Sequence, residues 1–187
     1  MKSVFVLITA LAAAAVAADV PRPTPEFNFA YPGGQKDQLS KYRGKVLLVE
    51  FLYTTCPHCQ HSAQTFSRLQ TEYGPKGLQV LGVAFNTMSQ MLVSDFVRDH
   101  KTNFPVGFAD RDPVLNYLNI SVMERYVVPQ VVIIDRKGQI RYQTPATGDA
   151  KASDEKFIRS QIETLLKETA PVPATRPVVK KAPAVAK

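Results

Sequence analysis

A single seven-residue run, VLLVEFL at residues 46–52, constrains this chain most. Six of its residues are apolar and they do not alternate with polar ones. So short and continuous a run suits a strand buried on both faces of a parallel sheet. Four residues after Leu52 stands Cys56-Pro57-His58-Cys59. Beyond it Ala63, Phe66, Leu69 and Tyr73 recur at spacings of three and four, the period of an amphipathic helix. Pro57 suits the first turn of that helix, where no backbone N–H is needed. Both cysteines of the 187-residue chain therefore lie where a buried strand becomes a helix.

The same reading continues downstream. Gly74 and Gly77 end the helix, and LQVLGVAFN (78–86) is a second buried strand. SQMLVSDFVRDHK (89–101) is helical, with Met91, Leu92, Phe96 and Val97 on its apolar side. FPVGFAD (104–110) is a short extended piece and DPVLNYL (112–118) a short helix. VVPQVVIID (127–135) is a strand whose hairpin partner is QIRYQ (139–143). Ser153, with Asp154 and Glu155, caps a last helix that buries Phe157, Ile158, Ile162, Leu165 and Leu166. Alternating strands and helices predict an α/β fold.

The two ends differ from this body. Lys2 precedes an apolar run from Val4 to Val16 and small residues up to Ala18, the pattern of a secretory signal peptide. The run is shorter than the ~20 residues of a membrane span. The expected organisation is a signal peptide at 1–18, one domain at 19–170, and a Pro/Ala/Lys-rich tail at 171–187 with no helical or strand periodicity. The net charge of +7 is concentrated at these ends. Lys2 and four basic residues of the tail carry five of the charges, leaving +2 on the body. A nearly neutral body gives no support for nucleic-acid binding.

Four chemistries use a Cys-x-x-Cys spacing. Covalent haem attachment needs His after the second cysteine, and here Gln60 stands there. A closed zinc site needs four ligands; His58 and His61 flank the cysteines and His100 lies on another helix. A structural disulfide would close a very small loop and constrain the unfolded chain little. Reversible thiol–disulfide exchange fits the position. Cys56, before the helix, faces unpaired N–H groups and the positive end of the helix dipole, which stabilise a thiolate. Cys59, one turn in, is placed to resolve a mixed disulfide. Two other readings stay open. One is a peroxiredoxin-like thiol peroxidase, although no proline occurs in 45–55. The other is a copper(I) metallochaperone holding the soft ion on Cys56, Cys59 and a distant His.

RGKVLLVEF (43–51), CPHC (56–59), LQVLGVAFN (78–86), FPVGFAD (104–110) and VVPQVVIIDRKGQI (127–140) together resemble the TlpA/ResA-like extracytoplasmic thioredoxins. The resemblance covers the whole body. It implies a thioredoxin fold: a central mixed sheet flanked by helices, with an N-terminal extension and a central insertion. It implies exchange with extracytoplasmic protein thiols and disulfides, an upstream redox partner, a monomeric state, and no cofactor beyond the Cys56–Cys59 disulfide. It assigns Pro129 as a cis-proline packed against that disulfide and Glu50 as a proton shuttle to Cys59. A buried, unpaired carboxyl has its pKa raised, which suits that task.

The tryptophan that commonly precedes the first cysteine is replaced by Thr55, so any aromatic neighbour must come from Tyr53 or Tyr126. The Pro57-His58 pair is similar to that of the strongly oxidising DsbA-type proteins. His58 can add positive charge near Cys56, while an ionised Glu50 opposes a thiolate. The expected potential is therefore intermediate, roughly −150 to −240 mV. His61 and His100 read as solvated surface, Thr54 and Thr55 as turn residues, and Met88 and Met91 as core packing.

Overall fold

A computed structural model describes residues 20–168. The expected signal segment and tail lie outside the described residues. Twelve elements form an eight-stranded sheet with four helices. They are β1 (Arg22–Pro23), β2 (Asn28–Ala30), β3 (Lys36–Gln38), β4 (Val46–Leu52), α1 (Pro57–Tyr73), β5 (Leu78–Ala84), α2 (Ser89–His100), β6 (Val106–Phe108), α3 (Arg111–Tyr117), β7 (Gln130–Ile134), β8 (Gln139–Gln143) and α4 (Glu155–Lys167). The strand order is β1-β8-β7-β4-β5-β6-β2-β3. β4, β5 and β6 run parallel, and β7, β8 and β2 are antiparallel to their neighbours.

β4 lies inside the sheet, and all seven of its residues are buried. Its alternate side chains serve opposite faces. Val46, Leu48 and Leu52 join Cys59, Ala63, Phe66, Leu69 and Tyr73 of α1, Val93 and Phe96 of α2, and Ile158, Ile162 and Leu165 of α4. Leu47, Val49 and Phe51 join Phe27, Phe29 and the α3 residues Val114, Leu115 and Tyr117. The second core is aromatic: Phe27 meets the Phe51 ring edge-on at 5.4 Å, and Tyr117 lies 5.3 Å from Phe51. The N-terminal extension closes this face by pairing β2 with β6. A side chain at Gly107 would bring Cβ to 2.6 Å from the Ala30 carbonyl oxygen, so only glycine permits that approach.

Four local expectations change. The strand expected at 127–135 starts at Gln130, because Pro129 has no N–H for the ladder. In α2 the buried positions are Ser89, Val93 and Phe96. Met91 and Met88 are 69% and 59% exposed and are not core residues. The spacing of apolar residues allowed either register, and packing against β5 and β6 selected this one. His100 is half-buried against the Phe96 ring, 4.9 Å away, rather than solvated. Asp154, not Ser153, caps α4: its carboxylate accepts the Lys156 N–H at 2.9 Å, while Ser153 ends the preceding 3-10 turn.

Candidate active site

β4 ends at Leu52, three residues turn the chain, and Cys56 becomes the N-cap of α1 with extended backbone angles. Its N–H donates to the Tyr53 carbonyl at 3.1 Å, and its carbonyl accepts the first helical bond from Gln60. Pro57 occupies the first helical position. Cys56 is thus held in front of N–H groups that have no intrahelical partner. Both cysteines are free thiols here, Cys56 half-buried and Cys59 fully buried. The two thiols thus differ in exposure: Cys56 is partly open to solvent and Cys59 is closed to it.

The loop before β7 faces this pair. The Val128–Pro129 peptide is cis, Pro129 is buried, and the Cys56 thiol reaches the Val128 carbonyl at 3.8 Å. Gln130 braces the loop. Its wholly buried amide donates to the carbonyls of Val127 at 2.8 Å and Pro145 at 3.2 Å. The sequence gives little sign of this role beyond the polar residue inside VVPQVVIID.

Behind the cysteines lies Glu50, fully buried between Val131 and Gly82 in the sheet. Burial pushes its carboxyl up to about 8, opposed by a hydrogen bond with the Ser62 hydroxyl. Its Oε2 has no hydrogen-bond partner among the described residues. Burial, and then the charge of Glu50, raise the Cys59 thiol well above the ordinary range. A protonated Cys59 beside a carboxyl that titrates near neutrality can exchange a proton with it. The sequence around Ser62 carries no motif that marks its contact with Glu50. Ser62 lies three residues after Cys59, a spacing that puts both on one side of α1.

The remaining expected residues are placed as follows. His58 is exposed, and its imidazole makes no hydrogen bond to either sulfur among the described residues. Thr54 bonds Asn86 through its N–H at 3.0 Å and its hydroxyl at 3.3 Å, not a sulfur; Thr55 is exposed. Tyr53 and Tyr126 meet through their hydroxyls at 2.7 Å, and Tyr53 packs edge-on against Phe85. Arg111 donates to the Tyr126 hydroxyl at 3.2 Å. Tyr53, Thr55, Phe85, Met88 and Arg111 line an open groove of about 620 Å³. Among the described residues no three His, Cys, Asp or Glu side chains converge as metal ligands. No helix among them is long and apolar enough to cross a membrane.

The family model described as Redoxin matches residues 20–161. Thiol-disulfide oxidoreductase ResA of Geobacillus kaustophilus is 26% identical over 117 residues, 63% of this chain and 64% of that protein. The chain thus spans just under two thirds of the length of that relative. Thioredoxin-like protein YneN of Bacillus subtilis is 28% identical over 135 residues, 71% of this chain and 75% of the relative. Among solved structures, a thiol:disulfide interchange protein of the thioredoxin family from Chlorobium tepidum TLS superposes with a TM-score of 0.64 at 20% identity. That match covers 80% of this chain and 99% of the other. It identifies the fold as thioredoxin-like.

Proposed function

We propose that this chain, which belongs to the Redoxin family, is a thiol–disulfide oxidoreductase that exchanges disulfides with protein substrates outside the cytoplasm. The observation that carries the reading is the asymmetry of the pair. Cys56 is accessible at the N-cap of α1, and Cys59 is buried beside a carboxyl raised to about 8. The names of the ResA and YneN relatives agree with it. The extracytoplasmic location rests on the signal-like pattern of residues 1–18. In this reading the protein's redox group is the Cys56–Cys59 pair itself.

In the reducing direction the Cys56 thiolate attacks a substrate disulfide. One substrate sulfur bonds to Cys56 and the other leaves as a thiolate. Glu50 then takes the Cys59 proton, and the Cys59 thiolate attacks Cys56. The Cys56–Cys59 bond forms, the mixed disulfide breaks, and the second substrate thiolate leaves. Two electrons pass to the substrate. Oxidation of a substrate dithiol is the same path reversed, with Glu50 returning a proton to Cys59 as it leaves.

Trapping tests the assignment. Cys59→Ser should accumulate mixed disulfides with partner proteins, and Cys56→Ser should not. Equal trapping by both variants would sink it.

A further inference from the structure

A fully buried carboxyl that gains and loses a proton in each turnover must exchange that proton with water. The thiol it serves cannot provide the route, because Cys59 is itself fully buried. The side chain in hydrogen-bond contact with Glu50 is Ser62, and Ser62 also lines a cavity of about 70 Å³. His58, His61, Thr65, Ser153 and Glu155 supply the cavity's other polar walls, and Ala152 and Ile158 close it from the α4 side. A space of this size with several polar partners can hold water.

The hydrogen-bond inventory of Ser62 shows how it would work. Its oxygen lies within bonding distance of Glu50 Oε1 and, at 3.0 Å each, of the His58 and Cys59 carbonyls. A hydroxyl has one proton to give. When Glu50 is ionised, that proton goes to the carboxylate. When Glu50 is protonated, the carboxyl can donate to Ser62 and the hydroxyl turns to a carbonyl or to water in the cavity. The arrangement thus accommodates both protonation states of Glu50 without moving a heavy atom.

We propose that Ser62 is a positioning and relay residue for Glu50, and that the cavity between α1 and α4 is the water entrance through which the site exchanges protons with solvent. The inference rests on the oxidoreductase reading for its purpose, though not for its geometry. The titratable groups facing the relay are Cys56 at the N-cap of α1, His58, Cys59 and His61 on α1, and Glu155 at the start of α4; β5 and β7 present none. During resolution the proton passes from Cys59 sulfur to Glu50, from Glu50 to the Ser62 oxygen as the Ser62 proton leaves to cavity water, and so to bulk solvent.

Two variants separate the two halves of the proposal. Ser62→Ala removes the hydrogen bond that favours the carboxylate. An infrared titration of the Glu50 carboxyl, assigned with Glu50→Gln, should show its midpoint raised by about one pH unit. Resolution of a preformed mixed disulfide at neutral pH should slow about tenfold, and Ser62→Thr should restore both readings. Ala152→Met fills the cavity and leaves the Ser62–Glu50 contact in place. It should slow resolution with the Glu50 midpoint unchanged. An unmoved midpoint in Ser62→Ala would overturn the positioning role, and unaltered resolution in both variants would overturn the route. The infrared titration needs no turnover. A wild-type protein with no exchange activity would therefore defeat the oxidoreductase reading while the Ser62–Glu50 coupling was still decided.

Discussion

Three carboxylates are buried among the described residues, and two of them, Asp37 and Glu50, lie in regions that treat them in opposite ways. Asp37, in β3 at the edge of the sheet, is opposed by burial. It is bonded by Lys41 at 2.8 Å, by the Tyr42 and Tyr31 hydroxyls at 2.5 and 2.9 Å, and by the Gln38 N–H. Those bonds outweigh burial and hold it at about 2. Glu50, in the middle of β4, has among the described residues one hydroxyl partner and an orphan oxygen, and burial carries it up to about 8. The first is a structural anion, ionised at any physiological pH. The second changes charge near neutrality and costs the fold stability when it does. Burial decides neither outcome by itself; the number of donors around the carboxylate does.

The largest effect that would break this contrast is on stability against pH. The folded-state pKa of Glu50 lies above the unfolded one, so the native protein loses stability as pH rises from about 4.5 to about 8 and no further above it. Glu50→Gln removes that loss. Denaturant unfolding across this range should show the variant gaining on the wild type by roughly 3–4 kcal/mol. A constant difference between the two proteins would mean that Glu50 does not titrate there.

Asp37 predicts the opposite sign. Its folded pKa is depressed, so its contribution is present above about 3.8 and is lost as pH falls through about 2. Asp37→Asn should cost roughly 2 kcal/mol at neutral pH, with the gap closing on acidification. A gap that persists at the acid end would point to lost packing instead of lost charge. Removing one donor sharpens the comparison. Tyr42→Phe should cost about 1 kcal/mol and raise the midpoint of Asp37 measured by NMR titration. No movement would show that Lys41 and Tyr31 suffice.

The smallest effect concerns His58. Its exposure lets water screen its charge, so His58→Ala should move the Cys56–Cys59 potential by only about 10 mV, or ~0.5 kcal/mol, toward the reducing side. Equilibration against glutathione should place the wild-type protein at roughly −150 to −240 mV. A large shift in the variant would give His58 a role that its surroundings do not suggest.

Much of this is legible in the sequence alone. Val46–Leu52 is the strand that VLLVEFL predicts, and α1 buries Ala63, Phe66, Leu69 and Tyr73 as their spacing requires. Those signals are strong because the run is continuous and the helix holds its period over four turns. The short pairings of β1, β2 and β3 left no comparable pattern; strands of two or three residues are too brief to carry one. The face of α2 differs from the expected one for a related reason. Met91 and Val93 are both apolar, and which of them is buried depends on what the helix packs against.

The order of residues alone determined that two cysteines would stand at a strand–helix junction, with an acid on the strand behind them. Hydrophobic continuity and helical period are local properties, and each can be read in a window of a dozen residues. Only the tertiary structure decided that Glu50 would have a single partner among the described residues, that this partner would be Ser62, and that a cavity between α1 and α4 would be lined by Ser62. It also decided that Asp37 would have four donors and Glu50 one. A carboxyl's charge state follows from how many donors surround it and how much water is left to it. Both are set where elements distant in sequence come into contact, on a scale that no local pattern records.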